Sequence, residues 1–199
     1  MIISVEKKFI FVANLKAAST SIESALRPHG DIVVRRSELG KHLSFSGIEN
    51  RFKWLFDVIG KNDFFKFGVI RDPLDYSVSL FKSHRDKKFL EIPDLYAGDM
   101  NFDDFLETWV PKNRGQFQPQ TIRFKDRSGS FALDYLVLYE NLSTEFPRVM
   151  NKIGISDIKL PRMNVSPTDN VDISGDAKKY IEKFFSSDYE AIEIFCNKQ

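Results

Sequence analysis

The stretch FIFVANLKAASTSIESAL, residues 9–26, determines how the rest of the chain is interpreted. Its first four residues, Phe9 to Val12, form a short apolar run of β-forming side chains, which predicts a buried strand. The hydroxyl residues from Ser19 to Ser21 are suited to cap a helix, and that helix should end before Pro28. The sequence therefore predicts a strand, a turn of small residues and a helix N-terminus in immediate succession.

The turn between this strand and helix has the features of an anion-binding site. The first N–H groups of a helix have no partner within the helix, and the helix dipole places about half a positive charge there. Ala17 and Ala18 leave room for a ligand to approach the backbone, and Lys16 adds a full charge. The alternative interpretation is an ordinary strand-to-helix turn with a solvated lysine.

Composition narrows the class of protein. At 199 residues with 42% hydrophobic content, the chain fits one globular domain spanning residues 1–199. A net charge of +1 means that any anion binding must be local. The single cysteine, Cys196, excludes an internal disulfide and a cysteine-based zinc site. Lys7 and Lys8 precede the first strand and no apolar run is long enough to cross a bilayer, so we expect a cytoplasmic protein without a signal peptide or a membrane anchor.

Strand and helix patterns alternate along the rest of the chain. The apolar runs that predict buried strands are residues 31–34, 64–70 and 135–139. Predicted helices span residues 45–58, 73–82, 175–185 and 187–195. One further predicted helix starts at about residue 101, and another ends at residue 153. This alternation predicts an α/β fold with a central, mostly parallel sheet flanked by helices.

A second candidate site begins where the strand at residues 64–70 ends. Arg71 follows the carboxyl end of that strand, where open α/β sheets bind ligands. The planar guanidinium of arginine can donate two hydrogen bonds to one phosphate. Ser79 lies two turns along the helix that Pro73 opens. The alternative is that Arg71 forms a surface ion pair with Asp72 or Asp75, which would contribute little.

Together these two segments resemble the sulfotransferases that use 3′-phosphoadenosine 5′-phosphosulfate (PAPS), particularly the carbohydrate-modifying branch. The turn at residues 16–21 looks like the 5′-phosphosulfate loop of that family, and Arg71-Asp72-Pro73 with Ser79 looks like its 3′-phosphate motif. Further similarities occur in the family's order at Lys41-His42, Tyr139-Glu140-Asn141-Leu142, Leu160-Pro161, Asn164 and Ser166. One departure is Tyr76, where many members carry a second arginine, so this position is open to aromatic packing.

The resemblance implies a P-loop-like sulfotransferase fold and transfer of a sulfuryl group from PAPS to a hydroxyl acceptor, with 3′-phosphoadenosine 5′-phosphate (PAP) as the product. The acceptor implied is a glycan or a glycolipid. The resemblance implies neither a metal nor a nucleic-acid partner for the protein. Lys16 would contact the oxygen of the donor that bridges the sulfuryl group and the leaving phosphate. The residues implied to bind the donor are Lys16, Ala17, Ala18, Ser19, Thr20, Ser21, Arg71 and Ser79.

A general base is the remaining requirement for transfer to a hydroxyl. Histidine suits this task because its unperturbed pKa lies near neutrality. His42 lies in a polar loop beyond a strand, and the resemblance favours it as the base, whereas His29 and His84 look like surface residues. The alternative for His42 is a loop histidine bonded to the backbone, with Glu140 as the reserve base. Side chains expected along the acceptor groove are Arg35, Arg36, Trp109, Lys112 and Arg114.

Two other functions stay open at this point. A P-loop nucleotide kinase would place a lysine directly before the hydroxyl residue and next to a glycine. Here the turn has no glycine, and Lys16 stands four residues before Thr20. A catalytically inactive nucleotide-binding protein of the same fold is the second alternative, because of Tyr76 and because the base is not fixed by the sequence.

Overall fold

A five-stranded sheet contains the apolar runs of the sequence, in the order β3–β1–β2–β4–β5. The computed structural model describes residues 1–35, 40, 42–156, 158–161 and 170–196. The strands are β1 (Ile2–Ser4), β2 (Phe9–Val12), β3 (Ile32–Val33), β4 (Phe65–Ile70) and β5 (Tyr135–Leu138). The predicted strands at residues 9–12, 31–34, 64–70 and 135–139 are thus confirmed to within two residues at each end.

The sheet is mixed, so the prediction of a mostly parallel sheet is wrong. β2 pairs with β4 and β4 with β5 in parallel, but β1 is antiparallel to both β2 and β3. The sequence did not predict β1 because a strand of three residues, Ile2–Ser4, is too short to show a periodic pattern. The four-residue connection from β1 to β2, with Lys8 at φ 55°, makes an antiparallel hairpin. Since β3 is antiparallel to β1, the described strands other than β1 all run in one direction.

Helices flank the sheet, and most lie where the sequence predicts them. Phe52 interrupts the predicted helix at residues 45–58, and the helix that begins near residue 101 passes through a π-helical turn at Phe105–Trp109. Within the described residues, no helix has the length and apolar character needed to span a membrane. The helices are α1 (Ser19–Leu26), α2 (Phe45–Arg51), α3 (Lys53–Val58), α4 (Pro73–His84), α5 (Phe102–Asp104), α6 (Val110–Lys112), α7 (Leu142–Lys152), α8 (Gly175–Phe184) and α9 (Ser186–Ala191).

Two hydrophobic clusters meet at the turn that follows β2. The first surrounds the sheet and includes Ala13 and Ala17, both buried in that turn. The second packs α4 against α5, α6 and α8, and Leu15 of the same turn contacts it. The turn is therefore held from two sides, which fixes the chain between β2 and α1.

A 3₁₀ helix at Gln120–Phe124 packs directly on the interior strand β4. The contact is made by Phe124, which is fully buried, over Gly68 of β4. A Cβ on Gly68 would lie 2.7 Å from Cε1 of Phe124 and 3.0 Å from Cδ1 of Leu133. Glycine at this position therefore allows the 3₁₀ helix to approach the sheet.

We expect Gly68→Ala to lower the free energy of unfolding by about 1–3 kcal/mol, because the added methyl group overpacks a buried contact. Gly115→Ala is the matched control. Gly115 is exposed and has nothing within 4 Å of the added Cβ, so its change should stay within about 0.5 kcal/mol. Urea denaturation of both variants measures the difference, and equal losses would contradict the close approach.

Candidate functional site

Three loops that follow parallel strands lie side by side at one edge of the sheet. Ala13 follows β2, Arg71 follows β4, and the 3₁₀ helix Tyr139–Asn141 follows β5. Because these strands are neighbours and run in the same direction, their carboxyl ends meet here, where open α/β sheets bind ligands. We call this region, from the 13–18 turn through Arg71 to Tyr139–Asn141, the carboxyl edge.

The turn before α1 differs from the predicted capping arrangement. Ala18 is the N-cap residue, and α1 has no hydrogen bond from a side-chain cap. Ser19 is already the first helical residue, so the prediction that Ser19 to Ser21 cap the helix is wrong. Lys16 and Ala18 both have positive φ values, 58° and 54°, a conformation that non-glycine residues rarely adopt and that is concentrated at functional sites. The turn is thus shaped in a way that does not use the serine hydroxyls as caps.

Positive charge is crowded around Lys16. Burial, and after it the charges of Lys88 and Arg71, lower the pKa of Lys16 to about 8, whereas Asp86 acts in the opposite direction. Asp86 itself lies 3.4 Å from Lys88, measured between Oδ2 and Nζ. A bound anion would relieve both the desolvation and the mutual repulsion of these cations. The electrostatics of the carboxyl edge therefore favour an anionic ligand.

Arg71 carries a hydrogen-bond donor that no described residue accepts. Its Nε is buried and makes no hydrogen bond to any residue that the structure describes, and Oε1 of Glu140 lies 3.8 Å away, beyond hydrogen-bond distance. Nη2 lies 3.9 Å from Oδ2 of Asp75, and the guanidinium carbon lies 4.8 Å from the centre of the Tyr139 ring. The proposed alternative partner Asp72 instead caps α4, accepting from the N–H groups of Leu74 and Asp75. Arg71 is therefore only loosely paired and fits a phosphate.

Two hydroxyl residues of α4 have different surroundings. Ser77 Oγ donates to the carbonyl oxygen of Pro73 at 2.8 Å and is fully buried. Ser79 is also buried and lies one turn beyond Asp75, the residue that approaches Arg71. Ser77 Oγ is therefore engaged within its own helix, and Ser79 lies on the same side of α4 as Asp75.

Tyr76 packs as an aromatic core residue. Its ring lies 5.7 Å from that of Phe185 in an edge-to-face arrangement, and burial raises its pKa above the usual range. The nearby cation is Arg123, whose charge opposes that shift in the pKa of Tyr76. Arg123 was not singled out from the sequence, because its neighbours in the chain give no pattern for a site.

His42 lies beside the start of the 13–18 turn. Its Nδ1 is 3.4 Å from the carbonyl oxygen of Ala13, so the tautomer that makes this contact carries its proton on Nδ1 and its lone pair on Nε2. Nη1 of Arg123 donates to the carbonyl oxygen of His42. His42 is thus held at the carboxyl edge, although Lys41, which precedes it, lies outside the described residues.

The prediction that His84 is a surface residue is wrong. Its ring is buried between Phe89 and Trp109, with ring centres 4.5 Å away in both cases, and its Nδ1 is 2.8 Å from the carbonyl oxygen of Leu95. Burial lowers the pKa of His84, and Lys16 acts in the same direction. The polar neighbours of His84 in the sequence suggested exposure, but its position on α4 directs it into the second cluster.

The side chains expected along the acceptor groove differ in exposure and do not share one environment. Trp109 is buried, and its Nε1 donates to the carbonyl oxygen of Leu95, so its predicted place in the groove is wrong. Lys112, Arg114 and Arg35 are exposed. Arg114 lines a cavity of about 390 Å³ together with Phe117, Tyr180 and Phe184. Arg36, Asn164 and Ser166 lie outside the described residues.

Glu140 lies on the Arg71 side of the carboxyl edge. Its Oε2 accepts from the N–H of Asp72 at 3.4 Å, and burial raises its pKa. This position separates Glu140 from His42, which is next to Ala13.

In the part of the chain that the structure describes, no three or more His, Cys, Asp or Glu side chains are grouped to hold a metal ion.

Comparisons with known proteins find similarity in structure. No protein-family model and no curated protein matches this chain. Among solved structures, the chain is similar to the crystal structure of a sulfotransferase from Alicyclobacillus acidocaldarius, with a TM-score of 0.50, 15% sequence identity and 94% of each chain covered. At this identity the similarity concerns the fold. The chain has a mixed α/β fold of the kind found in that sulfotransferase.

Proposed function

We propose that the protein is a sulfotransferase that moves a sulfuryl group from PAPS to a hydroxyl group of a carbohydrate. The observation that carries the proposal is the positive charge at the N-terminus of α1. Lys16 is partly buried there, and its pKa is lowered to about 8 by burial and by the neighbouring cations Lys88 and Arg71. A donor with several negative charges suits such a site. The sulfotransferase-like fold supports the same assignment.

The two ends of the donor are assigned to two parts of the carboxyl edge. Backbone N–H groups of residues 17–21, with the hydroxyls of Ser19, Thr20 and Ser21, would hold the 5′-phosphosulfate at the N-terminus of α1. Arg71 and Ser79 would hold the 3′-phosphate. The buried Nε of Arg71 supports this assignment, because it has no hydrogen-bond partner among the described residues and a phosphate oxygen would supply one.

Two side chains of the protein are assigned to the chemistry. PAPS, when bound, supplies the sulfuryl group and a phosphate as the leaving group. The Lys16 ammonium would stabilise the negative charge that develops on the bridging oxygen. His42, with its proton on Nδ1 directed to Ala13, would accept the proton of the acceptor hydroxyl at Nε2. This scheme assigns no metal.

The first prediction concerns Lys16. Lys16→Ala should reduce turnover with PAPS by about 10²–10³-fold, with a smaller change in donor affinity, because its charge acts mainly in the transition state. Donor binding should also favour the protonated lysine. Since the pKa of the free side chain is about 8, affinity for PAP should fall as the pH rises above 8, and binding near pH 8 should take up a proton.

Calorimetry in buffers of different ionisation enthalpy measures this proton uptake, and labelled PAPS measures turnover. Lys178→Ala, which removes an exposed lysine of α8, is the control and should change neither quantity. Turnover at the wild-type rate in Lys16→Ala, with unchanged proton uptake, would contradict the role of Lys16. A wild-type protein that binds PAP but sulfates no carbohydrate acceptor would instead favour the inactive nucleotide-binding protein.

The second prediction concerns the base. His42→Ala should lower the rate by about 10²–10⁴-fold while donor affinity stays near that of the wild type. The wild-type pH–rate profile should rise with pH, because a protonated imidazole cannot accept a proton, and this rise should flatten in His42→Ala. His29→Ala, at the opposite end of α1, is the control. If His42→Ala keeps both its rate and its pH profile, the base lies elsewhere, and Glu140 is the next residue to change.

A further inference from the structure

A buried glutamine joins the two parts of the carboxyl edge. Gln120 begins the 3₁₀ helix Gln120–Phe124 and is 1% exposed. Its Oε1 accepts from the N–H of Arg71 at 3.0 Å, and its Nε2 donates to the carbonyl oxygen of Arg71 at 2.8 Å. The side chain therefore pairs with both backbone groups of Arg71, as a neighbouring strand would, and extends the ordered backbone one residue beyond β4.

The same amide also holds the turn that carries Lys16. Oε1 of Gln120 accepts from Nδ2 of Asn14 at 2.9 Å, and Nδ2 of Asn14 also donates to the carbonyl oxygen of Val69 at 3.1 Å. Oδ1 of Asn14 accepts from the N–H of Leu15, the residue before Lys16, at 2.8 Å. Donors surround each side-chain oxygen and acceptors face each nitrogen, so the partners fix the orientation of both amides.

Gln120 is held in turn by a buried carboxylate of α9. Oδ2 of Asp188 accepts from the backbone N–H of Gln120 at 2.7 Å and from its Nε2 at 3.3 Å. Oδ1 of Asp188 accepts from the N–H and the hydroxyl of Thr121 at 3.0 and 2.7 Å. Burial raises the pKa of Asp188, and these hydrogen bonds oppose that rise. Asp188 thus fixes Gln120 at its backbone N–H as well as at its side-chain amide.

From these contacts we infer that Gln120 is a positioning residue that sets the spacing between the Lys16 turn and Arg71. A nucleotide with phosphates on both its 3′ and 5′ positions needs the two parts of the site at one fixed separation. A nucleotide with the 5′-phosphate alone needs only the Lys16 turn. Gln120 therefore determines how much the 3′-phosphate adds to affinity. This inference rests on the proposed function, because it takes PAPS as the donor.

The test is the ratio of affinities for PAP and for adenosine 5′-phosphate (AMP), measured by calorimetry. Gln120→Met keeps the size of the side chain and removes its hydrogen bonds. We expect the PAP-to-AMP affinity ratio to fall about tenfold or more in this variant, with a much smaller change in AMP affinity. Gln118→Met is the control. It changes an exposed side chain two residues before Gln120 and should leave the ratio unchanged.

Thr121→Val separates positioning from stability. It removes one hydrogen bond to Asp188 but leaves the contacts of Gln120 with Arg71, so it should lower the melting temperature without changing the ratio. If Gln120→Met does not fold, Asn14→Ala takes its place, because it removes the other end of the Gln120–Asn14 hydrogen bond. In that variant the ratio should also fall.

The outcomes separate this inference from the proposed function. A wild-type protein without preference for PAP over AMP would overturn the proposed function and the inference with it. A clear wild-type preference that persists in Gln120→Met, or in Asn14→Ala where that variant replaces it, would overturn the inference alone. A ratio that falls equally in Thr121→Val would also overturn it, because the effect would then follow stability.

Discussion

The desolvation of Lys16 at the carboxyl edge, reinforced by the positive charges near it, is the constraint on which this site depends. Lys16 is drawn out of water beside Arg71 and Lys88, and its pKa falls to about 8 as a result. The N-terminus of α1 adds the positive end of a helix dipole at the same place. Such an arrangement is unfavourable in the free protein, and binding of an anion relieves it. This arrangement therefore lowers the stability of the free protein, and binding of an anionic ligand offsets the loss.

The surrounding structure holds these charges in place. Lys16 and Ala18 adopt left-handed backbone conformations, which cost about 1–2 kcal/mol each in a non-glycine residue. Ala17 is buried in the sheet cluster and Leu15 contacts the second cluster, so packing on both sides keeps the turn in this shape. The buried amides of Asn14 and Gln120 then connect the turn to Arg71. Rigidity at this edge comes from polar contacts between segments that are distant in sequence.

Local sequence patterns predict the parts of the fold that depend on neighbouring residues. The apolar run from Phe9 to Val12 and the proline at position 73 mark a strand and a helix start that the structure confirms. β1 is too short to show a pattern, and its place between β3 and β2 makes the sheet mixed. Local patterns also fail to predict the burial of His84, because helical geometry buries this residue although its neighbours in the chain are polar.

The site is predictable only in part, for the same reason. Lys16, Arg71 and His42 follow from motifs, and the structure brings all three to one edge of the sheet. Gln120 carries no local signal, because its role depends on Asn14, Arg71 and Asp188, each of which is about 50 or more residues away. Tyr76 packing on Phe185 likewise depends on a helix near the end of the chain.

The most direct test of the account is calorimetry of Arg71→Ala with PAP and AMP, which differ only in the 3′-phosphate. If Arg71 binds that phosphate through a buried, charge-assisted contact, the variant should lose about 2–5 kcal/mol of binding free energy for PAP and much less for AMP. Arg114→Ala, which removes an exposed arginine, should lose neither. Equal losses for PAP and AMP in Arg71→Ala would contradict the account, because Arg71 would then support the fold rather than bind the 3′-phosphate.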